Sequence, residues 1–415
     1  MDFGLISNKK INSFSKLIHE KISDINYDLH ELKEDKLDEF FTKRDFKGLN
    51  VTIPYKEKVI PYLDFIEESA KKIGAVNTIV NKNGKLTGYN TDYYGFEYLL
   101  KYFKIDIKDQ VVMILGSGGA SKCIATLLKD LNSKKVIIVS RNPISNMISY
   151  DEISNYQETS IVINTTPVGM SPNINENVFD FDKLNNLKVA IDVVYNPLNT
   201  LFMMEAKKRK IASYGGLMML IAQAVKANEL FTGKKYLEEM IATLYLDFKK
   251  QLTSIALIGL SYSGKSTIGK ELAKTLDKSF IDIDKEIEHQ EEIAIKDIFK
   301  INGESYFRNL EFETIKKYAV LNNQVISLGG GAVMNPLNMT YIKSNCVVVY
   351  IKRPFKFIKF DDSRPLSTNI EQLNELEIKR KEIYEHFADI IINNDSTIID
   401  AIIRVKEAYY AYFSN

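Results

Sequence analysis

Apolar runs of four or five residues alternate with stretches of helical periodicity along most of the chain, the pattern of an α/β protein built on parallel sheets. Two of these runs lead directly into glycine-rich turns and then into helices. Val111-Val-Met-Ile-Leu115 is followed by Gly116-Ser-Gly-Gly-Ala-Ser121 and an apolar-periodic stretch to Leu131. Ser254-Ile-Ala-Leu-Ile258 is followed by Gly259-Leu-Ser-Tyr-Ser-Gly-Lys-Ser-Thr267 and a helix through Leu276. Each turn opens its own sheet, so two nucleotide sites of different type are expected. Between them, KKYLEEMIATLYLDFKK (234–250) reads as a last amphipathic helix, which sets a boundary near residues 249–253 with almost no linker.

Length and composition narrow the class. A chain of 415 residues corresponds to about two or three domains. Lys+Arg is 55 against Asp+Glu 54, which gives no net field to favour nucleic acid or an anionic membrane. No apolar run reaches signal-peptide or membrane-spanning length. The two cysteines, Cys123 and Cys346, lie far apart in apolar stretches, which suits a reducing cytoplasm and offers neither a disulfide framework nor a metal site. The four histidines lack the spacing of zinc ligands. Only eight arginines occur, so the remaining ones invite a reading as planar, bidentate binders of phosphate or carboxylate.

The first glycine turn has the chemistry of a dinucleotide phosphate loop. Gly116, Ser117, Gly118, Gly119 and Ala120 let the backbone approach a pyrophosphate that rests on the helix N-terminus, although alone the pattern equally fits a tight strand–helix turn. The next strand, Val136-Ile-Ile-Val139, ends in Ser140-Arg141-Asn142. With no acidic residue for a free ribose hydroxyl and an arginine for a 2′-phosphate, NADP is favoured over NAD.

Upstream stand Ser13-Phe-Ser15, Lys47-Gly-Leu-Asn-Val-Thr-Ile-Pro-Tyr-Lys56, Gly74-Ala-Val-Asn-Thr78 and Gly88-Tyr-Asn-Thr-Asp92. Downstream stand Asn164-Thr-Thr-Pro-Val-Gly-Met170, Asp192-Val-Val-Tyr-Asn-Pro197 and Tyr214-Gly-Gly-Leu-Met-Met-Leu-Ile-Ala-Gln223. In this order the blocks resemble the shikimate dehydrogenase family. The resemblance implies a catalytic pair, Lys56 and Asp92. Lysine would donate a proton when a ketone is reduced and accept one when the alcohol is oxidised, with the carboxylate orienting it. It further implies that Ser13, Ser15, Thr52, Asn77, Tyr195 and Gln223 hold a small polyol acid, and that Ser140, Arg141, Thr165 and Gly216 join the loop in holding the cofactor. Taken singly, Ser13 also reads as an N-cap, Lys56 as a surface lysine and Asn77 as a turn residue.

The second glycine turn matches the phosphate-binding P-loop at every required position: Gly259, Gly264, Lys265, Ser266 and Thr267. Backbone N–H groups wrap the phosphates, Lys265 reaches the outer ones, and the Ser266 hydroxyl ligates magnesium. Phe280-Ile-Asp282-Ile-Asp284 reads as a strand end with two carboxylates facing the same way. Arg308 with Glu311, Gly329-Gly330-Gly331, Arg364-Pro-Leu366 and Arg380 with Tyr384 follow. This series resembles the shikimate kinase family. The resemblance implies that Asp284 contacts the acceptor hydroxyl, Asp282 holds magnesium through water, and Arg308 and Arg380 grip a carboxylate beside Gly330 and Gly331. It implies that Arg364, on a lid, stabilises charge on the transferring phosphoryl group.

The expected fold is therefore a two-lobed α/β dehydrogenase-like unit over 1–250, followed by a P-loop kinase sheet domain over 251–415. Its substrate lobe would cover about 1–92 plus 211–250, and its Rossmann-type NADP lobe about 93–210. The resemblances imply NADPH-dependent reduction of 3-dehydroshikimate and ATP- and Mg2+-dependent phosphorylation of shikimate. A competing reading is an NAD-dependent quinate-type dehydrogenase fused to a nucleotide-sensing, kinase-like module.

Overall fold

The computed structural model describes residues 2–8, 14–358 and 369–413. Its first sheet holds β1 (Phe3–Ser7), β2 (Tyr27–Glu31), β3 (Gly48–Val51), β4 (Phe65–Ile66), β5 (Thr78–Lys82) and β6 (Lys85–Tyr89), in the order β2-β1-β3-β5-β6-β4. β1 pairs in parallel with β2 and β3, whereas β5 runs antiparallel to β3 and β6. Two exposed residues, Asn83 and Gly84, join β5 to β6. Both have positive φ, 54° and 82°, as a type I′ hairpin turn requires, and Lys82 pairs with Lys85 across them. This register sets Thr78 opposite Tyr89. Residues 75–77 and 90–92 therefore lie side by side at the open end of the hairpin, where Asn77 N–H donates to Tyr89 O.

The second sheet contains β7 (Val111–Leu115), β8 (Lys135–Val139), β9 (Ile161–Asn164), β10 (Val189–Asp192) and β11 (Ala212–Gly215), all parallel, in the order β11-β10-β9-β7-β8. Every residue of β7 and β9 is buried. A parallel strand covered on both faces has no solvent side, which is why these segments read as uninterrupted apolar runs. Met113, Leu115, Val162, Ala190 and Phe202 meet in the core on one face. The strand order reverses between β7 and β9, and the crevice beyond the carboxyl ends at that switch point is where such sheets bind ligands.

The third sheet has β12 (Ser254–Ile258), β13 (Ser279–Asp282), β14 (Gln324–Ser327), β15 (Cys346–Lys352) and β16 (Ile390–Asn393), again parallel, in the order β13-β14-β12-β15-β16. β12 is central and wholly buried. The helix Glu238–Leu252 ends one residue before it begins. By proximity, residues Met1–Val168, Asn177–Tyr195 and Phe202–Tyr245 form one compact unit. Gly169–Glu176, Asn196–Leu201 and Leu246–Asn415 form the other. Among the described residues no helix is long and apolar enough to cross a membrane.

The helix Thr91–Tyr102 opens where the Asn77 side chain, arriving from the other arm of the hairpin, accepts the Thr91 N–H. One local expectation is corrected. Asp284 is not in extended chain beside Asp282. The strand stops at Asp282, whose side chain accepts the Lys285 N–H and so starts a helix over Ile283–Glu291, with Asp284 in its first turn. An Asp with the β/extended backbone of an N-cap turns the chain at once.

Two candidate active sites

In the first unit, Lys56 lies in the loop after β3 and Asp92 in the first turn of the helix Thr91–Tyr102. Lys56 Nζ donates to Asp92 Oδ2 at 2.5 Å, with the side chains 17% and 12% exposed. The pair is thus shielded yet open to a ligand on one side. A side chain at Gly119 would fall 3.6 Å from Lys56 Cδ, so the dinucleotide loop passes directly beside the pair. The helix Thr91–Tyr102 packs so closely on the helix Leu217–Thr232 that a side chain at Gly95 would meet Met219 O at 2.7 Å. That approach brings Gln223 to Thr91 Oγ1, 3.3 Å away. Asn77, Asp92 and Gln223 are buried. Cys123 is buried nearby. Burial and then the Asp92 charge push its thiol pKa far up, so it is not a nucleophile at neutral pH.

The remaining expected residues of this unit are arranged around that centre. Ser15 is buried at the start of the helix Ser15–Ile22, and the preceding Phe14 ring lies 5.7 Å from that of Tyr195. Thr52 is half-buried four residues before Lys56. On the cofactor side, Thr165 Oγ1 donates to Leu115 O at 2.7 Å and crowds Gly116, while Ser117 and Ser140 hydroxyls lie 3.2 Å apart. Gly118 caps the helix Gly119–Asp130 with no side-chain cap, an arrangement in which the first N–H groups can take up an anion. Arg141 stands exposed just past β8. The main chain at Gly216 approaches Val193 too closely for any side chain, with a built Cβ 2.1 Å from Val193 O. Ser13 lies outside the described residues.

In the second unit, Lys265 is buried and its Nζ donates to Gly259 O at 2.9 Å and Leu260 O at 2.7 Å. Ser266 Oγ and Ser327 Oγ are 3.4 Å apart, and Ser327 is the register partner of Asp282. Asp282 Oδ2 is buried with no partner among the described residues. Three hard oxygens thus gather at the strand ends, a set that fits Mg2+, which keeps waters and substrate phosphates as its other ligands. Thr267 follows, exposed, on the helix Lys265–Thr275.

The triglycine turn lies among Asp284, Glu311, Arg308 and Arg380. A side chain at Gly329 would fall 2.6 Å from Glu311 Oε1 and 2.9 Å from Asp284 Oδ1, and one at Gly331 would fall 2.4 Å from Arg308 Nη2. Gly330 O accepts from Arg380 Nη1 at 3.1 Å and Tyr384 OH at 2.5 Å. Arg308 Nη1 donates to Glu311 Oε2 at 2.8 Å. The two arginines, Asp284 and the P-loop are therefore gathered around residues 329–331. Ser327 and Glu311 were not among the expected site residues. Ser327 carries the signal of a hydroxyl at the end of a buried strand running into glycines. Arg364 lies outside the described residues.

A dinucleotide loop set against a lysine–carboxylate pair defines an oxidoreductase site, and a P-loop facing an arginine-lined pocket defines a phosphotransferase site. A sequence profile for the shikimate dehydrogenase substrate binding domain matches residues 7–79, and one for shikimate kinase matches residues 262–407. The NADP(+) shikimate dehydrogenase of Clostridium perfringens is 42% identical over 265 residues, covering 60% of this chain and 98% of that protein. The corresponding Clostridium botulinum enzyme is 39% identical over 243 residues, covering 54% and 93%. Among solved structures, a chorismate mutase/shikimate 5-dehydrogenase fusion from Clostridium acetobutylicum aligns with a TM-score of 0.57 at 36% identity, covering 60% of this chain and 97% of that one. A Thermus thermophilus shikimate 5-dehydrogenase in complex with NADP(H) and shikimate aligns at 0.52 and 27% identity, covering 59% and 98%. The chain belongs to the shikimate dehydrogenase family and carries a shikimate kinase domain behind that region.

Proposed function

We propose that the chain reduces 3-dehydroshikimate to shikimate with NADPH and then phosphorylates shikimate with ATP and Mg2+, the two activities dividing near residue 250. The observation that carries the reading is the Lys56–Asp92 pair beside Gly119 of the dinucleotide loop. The bound dinucleotide supplies hydride. Lys56 Nζ delivers a proton to the ketone oxygen as it becomes an alcohol, and Asp92 holds the ammonium in place and accepts from a substrate hydroxyl. In the second site Asp284 orients the acceptor hydroxyl, and Arg308 and Arg380 hold the substrate carboxylate through charge-assisted hydrogen bonds. Lys265 steadies the outer phosphates, while Ser266 and Asp282 would hold the metal. Arg141 and the absence of an acid after β8 favour NADP over the NAD-dependent quinate-type alternative. The partners are small molecules in the cytoplasm, with no nucleic acid or membrane involved.

One coupled assay tests this. With 3-dehydroshikimate, NADPH and ATP–Mg2+, the purified chain should oxidise NADPH and form shikimate 3-phosphate. NADPH oxidation without phosphorylation would reject the kinase half. Turnover with NAD and quinate but not with NADP would reject the dehydrogenase half as stated.

A further inference from the structure

Behind the substrate-facing amides of the first site runs a line of buried hydroxyl and amide groups that the proposed reaction leaves untouched. Asn77 Oδ1 accepts the main-chain N–H of Thr91 at 2.7 Å. A main-chain N–H only donates, so the atom opposite it must be the amide oxygen and not the nitrogen. Gln223 is fixed by the complementary argument. Its Nε2 lies 2.9 Å from Leu220 O, and a carbonyl only accepts, so that atom must be the NH2 group. The backbone partners therefore identify which atom of each amide is the oxygen and which the nitrogen.

Thr91 Oγ1 sits between them, 3.2 Å from Asn77 Oδ1 and 3.3 Å from Gln223 Oε1. Further back, Tyr27 OH donates to Asn50 Oδ1 at 2.7 Å, Asn50 Nδ2 donates to Thr78 Oγ1 at 3.0 Å, and Thr78 Oγ1 lies 3.1 Å from Thr91 Oγ1. A hydroxyl has one proton to give. Because Thr78 receives from Asn50, its one proton can go to Asn77 Oδ1, 3.1 Å away, or to Thr91 Oγ1; in the second case that of Thr91 passes to Gln223 Oε1. The hydrogen bonds then run in one direction from Tyr27 to Gln223, and no donor faces a donor. Thr91 is 2% exposed and Thr78 is fully buried, so neither is a surface for the ligand.

We infer that Thr91 is a positioning residue that turns the oxygens of Asn77 and Gln223 inward and their N–H groups toward the substrate. The inference rests on the dehydrogenase reading and deepens it. Asn77 Nδ2 meets no acceptor among the described residues, and Gln223 Nε2 has a second hydrogen beyond the one given to Leu220. With the Lys56 ammonium, the pocket is a set of donors broken by one carboxylate, Asp92. Such a set selects a ligand rich in acceptor oxygens, namely hydroxyls and a carboxylate.

The test uses the full chain with Thr91→Val, which keeps the shape and the main-chain N–H but removes the hydroxyl, and Thr91→Ser, which restores it. KM and kcat are measured for 3-dehydroshikimate, and KM for NADPH, with the circular-dichroism melting curve as the control for folding of the first unit and shikimate phosphorylation as that of the second. T91V leaves Gln223 Oε1 without its donor, and KM for 3-dehydroshikimate rises about tenfold, more than kcat falls, with KM for NADPH unchanged. T91S stays within about twofold of the wild-type chain, well inside the cost of a single hydrogen bond. Tyr27→Phe, which breaks the line at its far end and leaves Thr91 in place, raises the same KM by a smaller factor. A wild-type KM in T91V, or a T91S defect as large as that of T91V, overturns the positioning role. A wild-type KM in Y27F overturns the connected line. Absence of 3-dehydroshikimate reduction in the wild-type chain, measured first, overturns the dehydrogenase reading itself.

Discussion

Glu311 holds Arg308 at the acceptor pocket of the second unit, and it does so at a cost to stability that can be measured. The side chain is 1% exposed. Its Oε2 accepts from Arg308, and its Oε1 has no partner among the described residues. Burial, only partly offset by the Arg308 charge and hydrogen bond, pushes its pKa up from 4.5 to about 6; Asp284 adds to the rise and Arg380 opposes it. The folded chain therefore keeps a proton on Glu311 at pH values where the unfolded chain has released it. The stability this gives is fully present below about 4.5 and is lost as pH rises through about 6. The difference is worth about 2 kcal/mol. Glu311→Gln removes the titration while keeping an oxygen for Arg308, which also retains Glu304 at 3.0 Å. At pH 8 the variant should be as stable as the parent or more so, by up to about 2 kcal/mol, equivalent to roughly 4–8 °C in Tm for a domain of this size. That advantage should vanish near pH 4.5. Because a neutral amide holds Arg308 less firmly, KM for shikimate in phosphorylation should rise about tenfold. Calorimetry from pH 4.5 to 8 and initial-rate kinetics measure the two effects. A variant that melts below the parent at pH 8, by the same margin as at pH 5, would refute the reasoning.

Three further outcomes are expected. Lys56→Met should lower 3-dehydroshikimate reduction by about 10²- to 10⁴-fold, the usual contribution of a general acid, with NADPH binding and phosphorylation retained; a tenfold loss or less would remove Lys56 from proton transfer. Arg141→Ala should lower the ratio of NADP to NAD efficiencies by about tenfold to a hundredfold, and an unchanged ratio would mean that another group reads the 2′-phosphate. Burial, against a weaker upward pull from Asn50, pushes the pKa of His19 from 6.5 down to about 3. The unfolded chain thus takes up a proton below about 6.5 that the folded chain refuses, and stability falls as pH drops through that window. His19→Phe, whose ring can keep the stack on Tyr27 at 4.2 Å, should flatten the acid side of the melting curve; an unchanged acid slope would show that other groups set it.

Much of this architecture was legible because its demands are local. A backbone that must approach phosphate closely needs glycine, so both loops announce themselves, and strands buried on both faces must be apolar throughout. What escaped was set by contacts distant in sequence. Whether Asp284 faced the same way as Asp282 depended on where β13 ended, and the spacing of two fits a strand end or a helix start equally well. Thr91 reads as one letter of a motif next to Asp92. Its partners Asn77 and Thr78 come from the other arm of a hairpin, and Gln223 from a helix 132 residues later. Glu311 was noted only as a neighbour of Arg308, since nothing in the sequence says that one of its oxygens is sealed from water. The Asn83-Gly84 dipeptide carries a hairpin signature that was not read from the sequence, and it sets the register of β5 against β6.

That dipeptide also restricts how this enzyme can change. A polar, exposed turn tip is ordinarily where a chain tolerates inserted residues, tags or circular permutation. Here, a single extra residue taken up by the β5–β6 pairing would slide β6 one place along β5 and reverse the face to which each of its side chains points. Thr91 and Asp92 follow β6 with only Asn90 between, so the Asp92 carboxylate would be carried away from Lys56. Natural variants should therefore keep this turn at two residues while other surface loops drift in length, although both residues lie at the opposite end of the hairpin from Asn77 and Thr91.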